Sequence, residues 1–266
     1  LSRSINFPFG EMRAYFVLCH YFQFNAIDLP KALEIGQNAV DLTRKYHFKD
    51  YEGGCLLRLG TVYLTLGNTQ EAFKCFQKGN QVSSHGVHPF FHTITYIWLA
   101  NTYLRMKKPD SAFYMAKIAY DSAIRLKHDF VLGGALGAMG RVYAVKGNSE
   151  LAKQYYHKRI AAAERISEYV DIANGYISLA NLFKDNKQKD SAIYYAKKAH
   201  DLYRPRLFAS VYTPASLLST LLESNDPAEA LRYLRIAEAA KDSAYNIQKI
   251  QSAQALVFKE KEQQTE

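Results

Sequence analysis

Apolar positions recur along this chain at helical spacing, in blocks that repeat every forty residues. LRLGTVYLTLGNTQEAFKCF (57–76), IWLANTYLRMKKPDSAFYMA (97–116), GAMGRVYAVKGNSELAKQYY (137–156) and ISLANLFKDNKQKDSAIYYA (177–196) align without a gap, and VLCHYFQFNAIDLPKALEIG (17–36) falls into the same register. One column reads Ala32, Ala72, Ala112, Ala152, Ala192. A second is mostly small: His20, Gly60, Ala100, Gly140, Ala180. A third, three residues on, is mostly aromatic: Gln23, Tyr63, Tyr103, Tyr143, Phe183. Each block predicts two amphipathic helices joined by a polar turn, LGNTQEA, KKPDSA, KGNSELA or NKQKDSA. Gly67 and Gly147 suit the left-handed residue that ends a helix.

No single hairpin of this kind buries its apolar face, so the copies must stack. The small and alanine columns let paired helices approach closely, and the aromatic column fills the wedge between successive hairpins. A sixth copy, ASLLSTLLESNDPAEALRYLRIAEAA (215–240), arrives two residues early, with Ala230 in the alanine column, Leu221 in place of the aromatic and Pro214 altering its first helix. The expected fold is all-α: an α-α superhelix, or solenoid, of about six helical hairpins over residues 1–241, then a C-terminal linker helix over 242–266.

The Leu-Gly/Ala-x-x-Tyr pattern of the first helix and the Ala of the second resemble those of tetratricopeptide repeats. The resemblance covers about residues 11 to 240. The unit is six residues longer than the usual 34, as in the repeats of bacterial signalling proteins. That resemblance implies a protein- or peptide-binding module without catalysis of its own.

Composition narrows the alternatives. Net charge is +9, but the basic residues are scattered and form no stripe, which argues against direct nucleic-acid binding. No run of about 18 apolar residues offers a membrane span, and Leu1–Gly10 is not a signal peptide. Cys19, Cys55 and Cys75 form no CxxC pair or metal spacing and read as core residues. GGALGAMG (133–140) lies inside a repeat helix with no strand before it, so its glycines read as close packing rather than a phosphate loop. His85, His88 and His92 flank an inter-repeat turn marked by Gly86 and Pro89, not one helical face, and His128 repeats His88; no metal site is expected. No nucleophile with its base is recognisable. Neither cofactor nor enzymatic activity is expected of this chain.

A solenoid binds along the concave face lined by its first helices. The columns there are Arg58, Trp98, Ala138, Ser178; then Thr61, Asn101, Arg141, Asn181; then Thr65, Arg105, Val145, Asp185. Trp98, Asn101 and Arg105 are spaced i, i+3, i+7 and share one face, with Arg141 and Lys184 extending a basic-polar strip. An aromatic beside an amide and a guanidinium suits a peptide or carboxylate. Asn101 and Asn181 are similar to the asparagines of carboxylate-clamp repeats, but Ile97 and Ile177 stand where that clamp has Lys or another polar group, which argues against a co-chaperone clamp. The expected partner-binding residues are Arg58, Thr61, Trp98, Asn101, Arg105, Arg141, Asn181 and Lys184.

The closing stretch, KDSAYNIQKIQSAQALVFKEKEQQTE (241–266), has no Gly or Pro, and Asp242 or Ser243 is suited to cap a new helix. It resembles the juncture in repeat-bearing, membrane-bound sensor histidine kinases, where a charged helix leads to the membrane segment. The resemblance implies a piece of a longer protein: the sensory region of a two-component histidine kinase, on the periplasmic side of the inner membrane, reaching that membrane only through its continuation, with pairing of two copies in the parent. A cytoplasmic peptide-responsive transcriptional regulator and a passive assembly scaffold are the alternatives. Ile247, Ile250 and Val257 form too thin an apolar seam to dimerise alone.

Overall fold

The computed structural model describes residues 7–24, 28–83, 89–203 and 208–244. Twelve α-helices run through them: α1 (Pro8–Phe24), α2 (Leu29–Lys45), α3 (Lys49–Thr65), α4 (Thr69–Ser83), α5 (Pro89–Arg105), α6 (Pro109–Leu126), α7 (Asp129–Val145), α8 (Ser149–Arg165), α9 (Tyr169–Asp185), α10 (Lys189–Tyr203), α11 (Tyr212–Leu222) and α12 (Pro227–Ala244). No strand occurs among the described residues. Helices α3, α5, α7 and α9 begin at residues 49, 89, 129 and 169, and α4, α6, α8 and α10 at 69, 109, 149 and 189. The forty-residue period of the sequence is thus the period of the helices, as the side-chain columns require.

Local chemistry sets the boundaries. The turns inside the second to fifth hairpins have a left-handed residue at forty-residue spacing: Gly67 (φ 80°), Lys107 (58°), Gly147 (79°) and Lys187 (60°). The second helices then start on side-chain caps. Asp28 accepts from the Lys31 amide, Asn68 from Glu71, Asn148 from Leu151 and Asp226 from Glu229. Each such cap satisfies an amide that the helix leaves without a partner. Another left-handed series, His47, Lys127 and Ser167, ends the second helices α2, α6 and α8. The sixth hairpin departs as its sequence predicts: a 3-10 turn (Phe208–Val211) leads into α11, which has only 11 residues.

One boundary is corrected. Helix α12 continues through Lys241, Asp242 and Ser243 to Ala244, so no new helix is capped there. Asp and Ser cap only where the backbone leaves helical geometry, and the alanine-rich approach gives it no reason to. The rest of the C-terminal stretch, with the seam residues Ile247, Ile250 and Val257, lies outside the described residues, as do His85 and His88.

The chain divides into two compact units between Met106 and Lys107. In the first, α1 pairs with α2 and α3 with α4; α3 packs on α2 and α1, and α5 on α4 and α3. In the second, α6 lies on α7, the pairs are α7–α8, α9–α10 and α11–α12, and each pair rests on the one before it.

The columns do what their sizes imply. Ala32, Ala72, Ala112, Ala152 and Ala192 are completely buried, and Ala230 nearly so. Enlarging Ala152 to Leu is expected to destabilise by about 1–3 kcal/mol through overpacking, read as a lowered urea midpoint; an unchanged midpoint contradicts the packing described. The column four residues on is not uniform, and its variation is compensated. A Cβ on Gly60 would meet the Phe76 ring at 2.5 Å, and one on Gly140 would collide with the Tyr156 ring. The neighbouring repeats carry Ala100 with Ala116 and Ala180 with Ala196 at the same places. Large on one helix goes with glycine on the other. Cys19 and Cys55 are buried thiols, raised to about 12 by that burial, and Cys75 is half-buried; none of the three is in a disulfide.

Candidate partner-binding face

The first helices of each unit lie side by side, α1, α3 and α5 in one and α7 and α9 in the other. The expected columns differ in how they sit. In the leading column Arg58 and Trp98 pack against the preceding repeat. Arg58 reaches back to α1, its guanidinium 5.2 Å from the Phe16 ring centroid and its Nη1 3.0 Å from His20 Nδ1. Trp98, half-buried, stacks on Phe76 with centroids 6.1 Å apart and planes 19° from parallel. Ala138 is completely buried. In the next column Thr61 is buried, and Asn101, Arg141 and Asn181 are half-buried. In the last column Thr65 is half-buried, while Arg105 and Asp185 are exposed beside Lys184, and Val145 is at 61% exposure. Trp98, Asn101 and Arg105 do share one helix, but only Arg105 stands clear of its neighbours.

The two irregular members of the first repeat have partners that explain them. His20 stands in the small column and accepts from Arg58; an arginine can only donate, so His20 Nδ1 is the acceptor. Gln23 stands in the aromatic column, 4% exposed. Its Nε2 donates to Thr65 Oγ1 (2.9 Å), and its Oε1 lies 3.2 Å from the Thr61 hydroxyl. The α1–α3 seam is thus a polar ladder.

In the second unit, Arg141 adjoins a cluster that the repeat columns did not single out. Arg159 of α8, 7% exposed, donates from Nε and Nη2 to the Asp171 carboxylate of α9. The glycines of GGALGAMG make room for it. A Cβ on Gly137 would lie 2.7 Å from Arg159 Nη1, one on Gly133 would strike Asp171, and one on Gly140 Tyr156. The stripe therefore receives polar side chains from α8 and α9 rather than bare backbone. Burial, with the Arg159 charge beside it, lowers Arg141 to about 10. Burial pushes Tyr156 and Tyr203 up to about 12, and the Tyr203 hydroxyl lies 3.2 Å from Asn174 Oδ1. A signal for the cluster exists in the sequence: Arg159 interrupts Ala119 and Ala199, Asp171 stands where the preceding repeat has Val131, and Gly137 replaces Ile97 and Ile177.

Two shallow surface depressions lie away from the expected residues. One, of about 280 Å³, is lined by α1 and α2 residues including Glu11, Asp41 and Lys45; the other, of about 240 Å³, by Ile124, Leu136, Lys158 and Arg165 among others. Among the described residues, no three or more His, Cys, Asp or Glu side chains group to hold a metal ion, and no helix is long and apolar enough to cross a membrane. His92, of the triplet read as a turn, sits in α5 against Tyr96, centroids 4.7 Å apart.

Comparison with known proteins agrees with this architecture. The tetratricopeptide repeat family model matches residues 54–84. No curated protein matches the sequence. Among solved structures, a Rap protein complexed with competence and sporulation factor is 13% identical, with a TM-score of 0.74 over 94% of this chain and 68% of that one. The apo form of RapI is 16% identical, with a TM-score of 0.69 over 88% and 84%. Aspartyl phosphate phosphatase F from Bacillus subtilis is 15% identical, with a TM-score of 0.67 over 95% and 70%. These neighbours overturn the periplasmic placement, which rested on likeness to membrane-bound sensor kinases. At the level of fold, the chain is a tetratricopeptide-like all-α array of repeated helical hairpins.

Proposed function

We propose that this chain is the partner-binding repeat region of a cytoplasmic, peptide-responsive regulator, and that it holds an extended peptide or protein segment against its first helices. The observation that carries this reading is the column Thr61, Asn101, Arg141, Asn181. It is polar in four successive repeats, one turn before the C-terminal end of helices that are otherwise largely apolar. Packing alone would favour apolar residues there, since a half-buried amide or guanidinium must be hydrogen-bonded to be tolerated. Asn181 donates to the Ile177 carbonyl of its own helix at 3.1 Å. Its remaining carbonyl oxygen accepts from no described residue, which suits it to a backbone amide of an extended ligand. Each unit presents a set of its own: Arg58, Thr61, Trp98, Asn101 and Arg105 in the first, Arg141, Asn181 and Lys184 in the second.

The Rap structure complexed with competence and sporulation factor supports a ligand-binding role over a passive scaffold. Transmission to an output region, through α12 and its continuation, belongs to the same proposal. The test uses peptides selected from a random displayed library on the whole chain. Trp98 is the sole tryptophan, so its emission reports binding near α5. Arg105→Ala is expected to weaken a selected peptide by about 1–3 kcal/mol, the worth of a charge-assisted hydrogen bond. Unaltered affinity in both Arg105→Ala and Arg141→Ala, with Trp98 emission unmoved, would sink the proposal.

A further inference from the structure

Among the described residues, the Arg58 guanidinium is a cation without a counter-ion. Its Nη1 donates to His20 and its carbon lies over the Phe16 ring, while its Nε is buried with no hydrogen-bond partner. Among the described residues no carboxylate pairs with it. The acid one and a half turns before it on α3, Glu52, is paired with Arg44 at 3.0 Å. The other groups that act on Arg58 are Cys19 and Cys55, thiols that burial keeps neutral, and burial itself lowers the arginine. A guanidinium offers five N–H donors in a fork that matches a carboxylate. Here one of them is used within the protein.

Position in the repeat sharpens the point. The equivalents of Arg58 are Trp98, Ala138 and Ser178, and those of His20 are Gly60, Ala100, Gly140 and Ala180. The α1–α3 seam departs from the pattern on both helices, at two residues that touch. A half-buried cation with no counter-charge costs stability, and departures of this kind are expected where function compensates for them. His20 also fixes the fork. By accepting at Nδ1 it stays neutral, with its proton on Nε2, and holds the Arg58 head on the first-helix face. The head remains reachable, since His20 is exposed and Arg58 half-buried.

We infer that Arg58, held by His20, is a carboxylate-binding subsite on the α1–α3 seam, the anchor for a carboxylate of the bound partner. The inference rests on the reading above for what carries the carboxylate, not for the subsite itself. Its test therefore needs no natural ligand. The whole chain, labelled for the arginine Nε–H and histidine ring signals, is titrated with N-acetylglycine as a chain-end mimic and N-acetyl-aspartate α-amide as a side-chain mimic. N-acetylglycinamide, which has no carboxylate, is the control.

The expected result is a saturable shift of the Arg58 and His20 signals with at least one carboxylate and none with the control. Whichever mimic binds about ten-fold or more tightly identifies the source, chain end or acidic side chain. Arg58→Gln abolishes the shift at His20, and Arg58→Lys, which keeps the charge without the fork, weakens it. The inference is overturned if neither carboxylate shifts these signals, if the control shifts them equally, or if His20 responds unchanged in Arg58→Gln. Peptides that bind the first helices while these signals stay still would leave the proposed function standing and remove the subsite; a carboxylate that binds here while no selected peptide does would do the reverse.

Discussion

Asp171→Ala is expected to destabilise this chain by about 3–5 kcal/mol, because it leaves the Arg159 charge buried without its carboxylate. Few single changes in this molecule should cost as much. Arg159 is 7% exposed and gives two N–H groups to Asp171, and Arg141 adds a second positive charge nearby. The more informative variant removes the whole arrangement. Gly137→Ile, Arg159→Ala and Asp171→Val together restore what adjoining repeats carry: Ile97 and Ile177, Ala119 and Ala199, and Val131. Apolar replacements of buried ion pairs are often neutral or stabilising, by about 1–4 kcal/mol. The triple variant is therefore expected to unfold at a urea concentration equal to or above wild type. A triple variant as unstable as Asp171→Ala would show that this site is held by more than the pair.

The second large effect concerns the compensated column. Gly140→Ala is expected to cost about 1–3 kcal/mol, since the new methyl occupies the Tyr156 ring's place. Tyr156→Ala alone should cost about 3–5 kcal/mol through the cavity it leaves, as for other large aromatic truncations. Together the two changes reproduce Ala180 with Ala196, the pair found one repeat later. The double variant is then expected to be less destabilised than the sum, by about 1 kcal/mol or more, as for residues in direct contact. Strict additivity would mean that the ring and the glycine are not packed on each other.

These two sites also mark how far the sequence could be read. The period, the twelve helices and the buried alanines follow from the columns, because each column is set by one helix's distance from the next. The turns were legible where Gly67 and Gly147 stand, but not at Lys107 and Lys187, which take the same left-handed geometry without the residue that announces it. The cap at Asp242 was misread because a capping residue acts only where the backbone already leaves the helix. The expected face was legible as a set of positions and not as an environment. Spacing puts Trp98 on the same helix face as Arg105, but nothing in spacing says that Trp98 stacks on Phe76. Nor did Arg159 and Asp171 announce themselves. Each looks like a solvent-facing charge until its own column is compared with the neighbouring repeats, where small and apolar residues stand.

The claim on which the rest depends is that partners lie along the first helices. Hydrogen exchange of the whole chain, with and without a peptide selected from a random library, tests it directly. Exchange is expected to slow within 58–65 and 98–105, within 138–145 and 178–185, or within both pairs, while the second helices α4, α8 and α10 are unchanged. Protection confined to those second helices, with the first helices exchanging as before, would contradict the account.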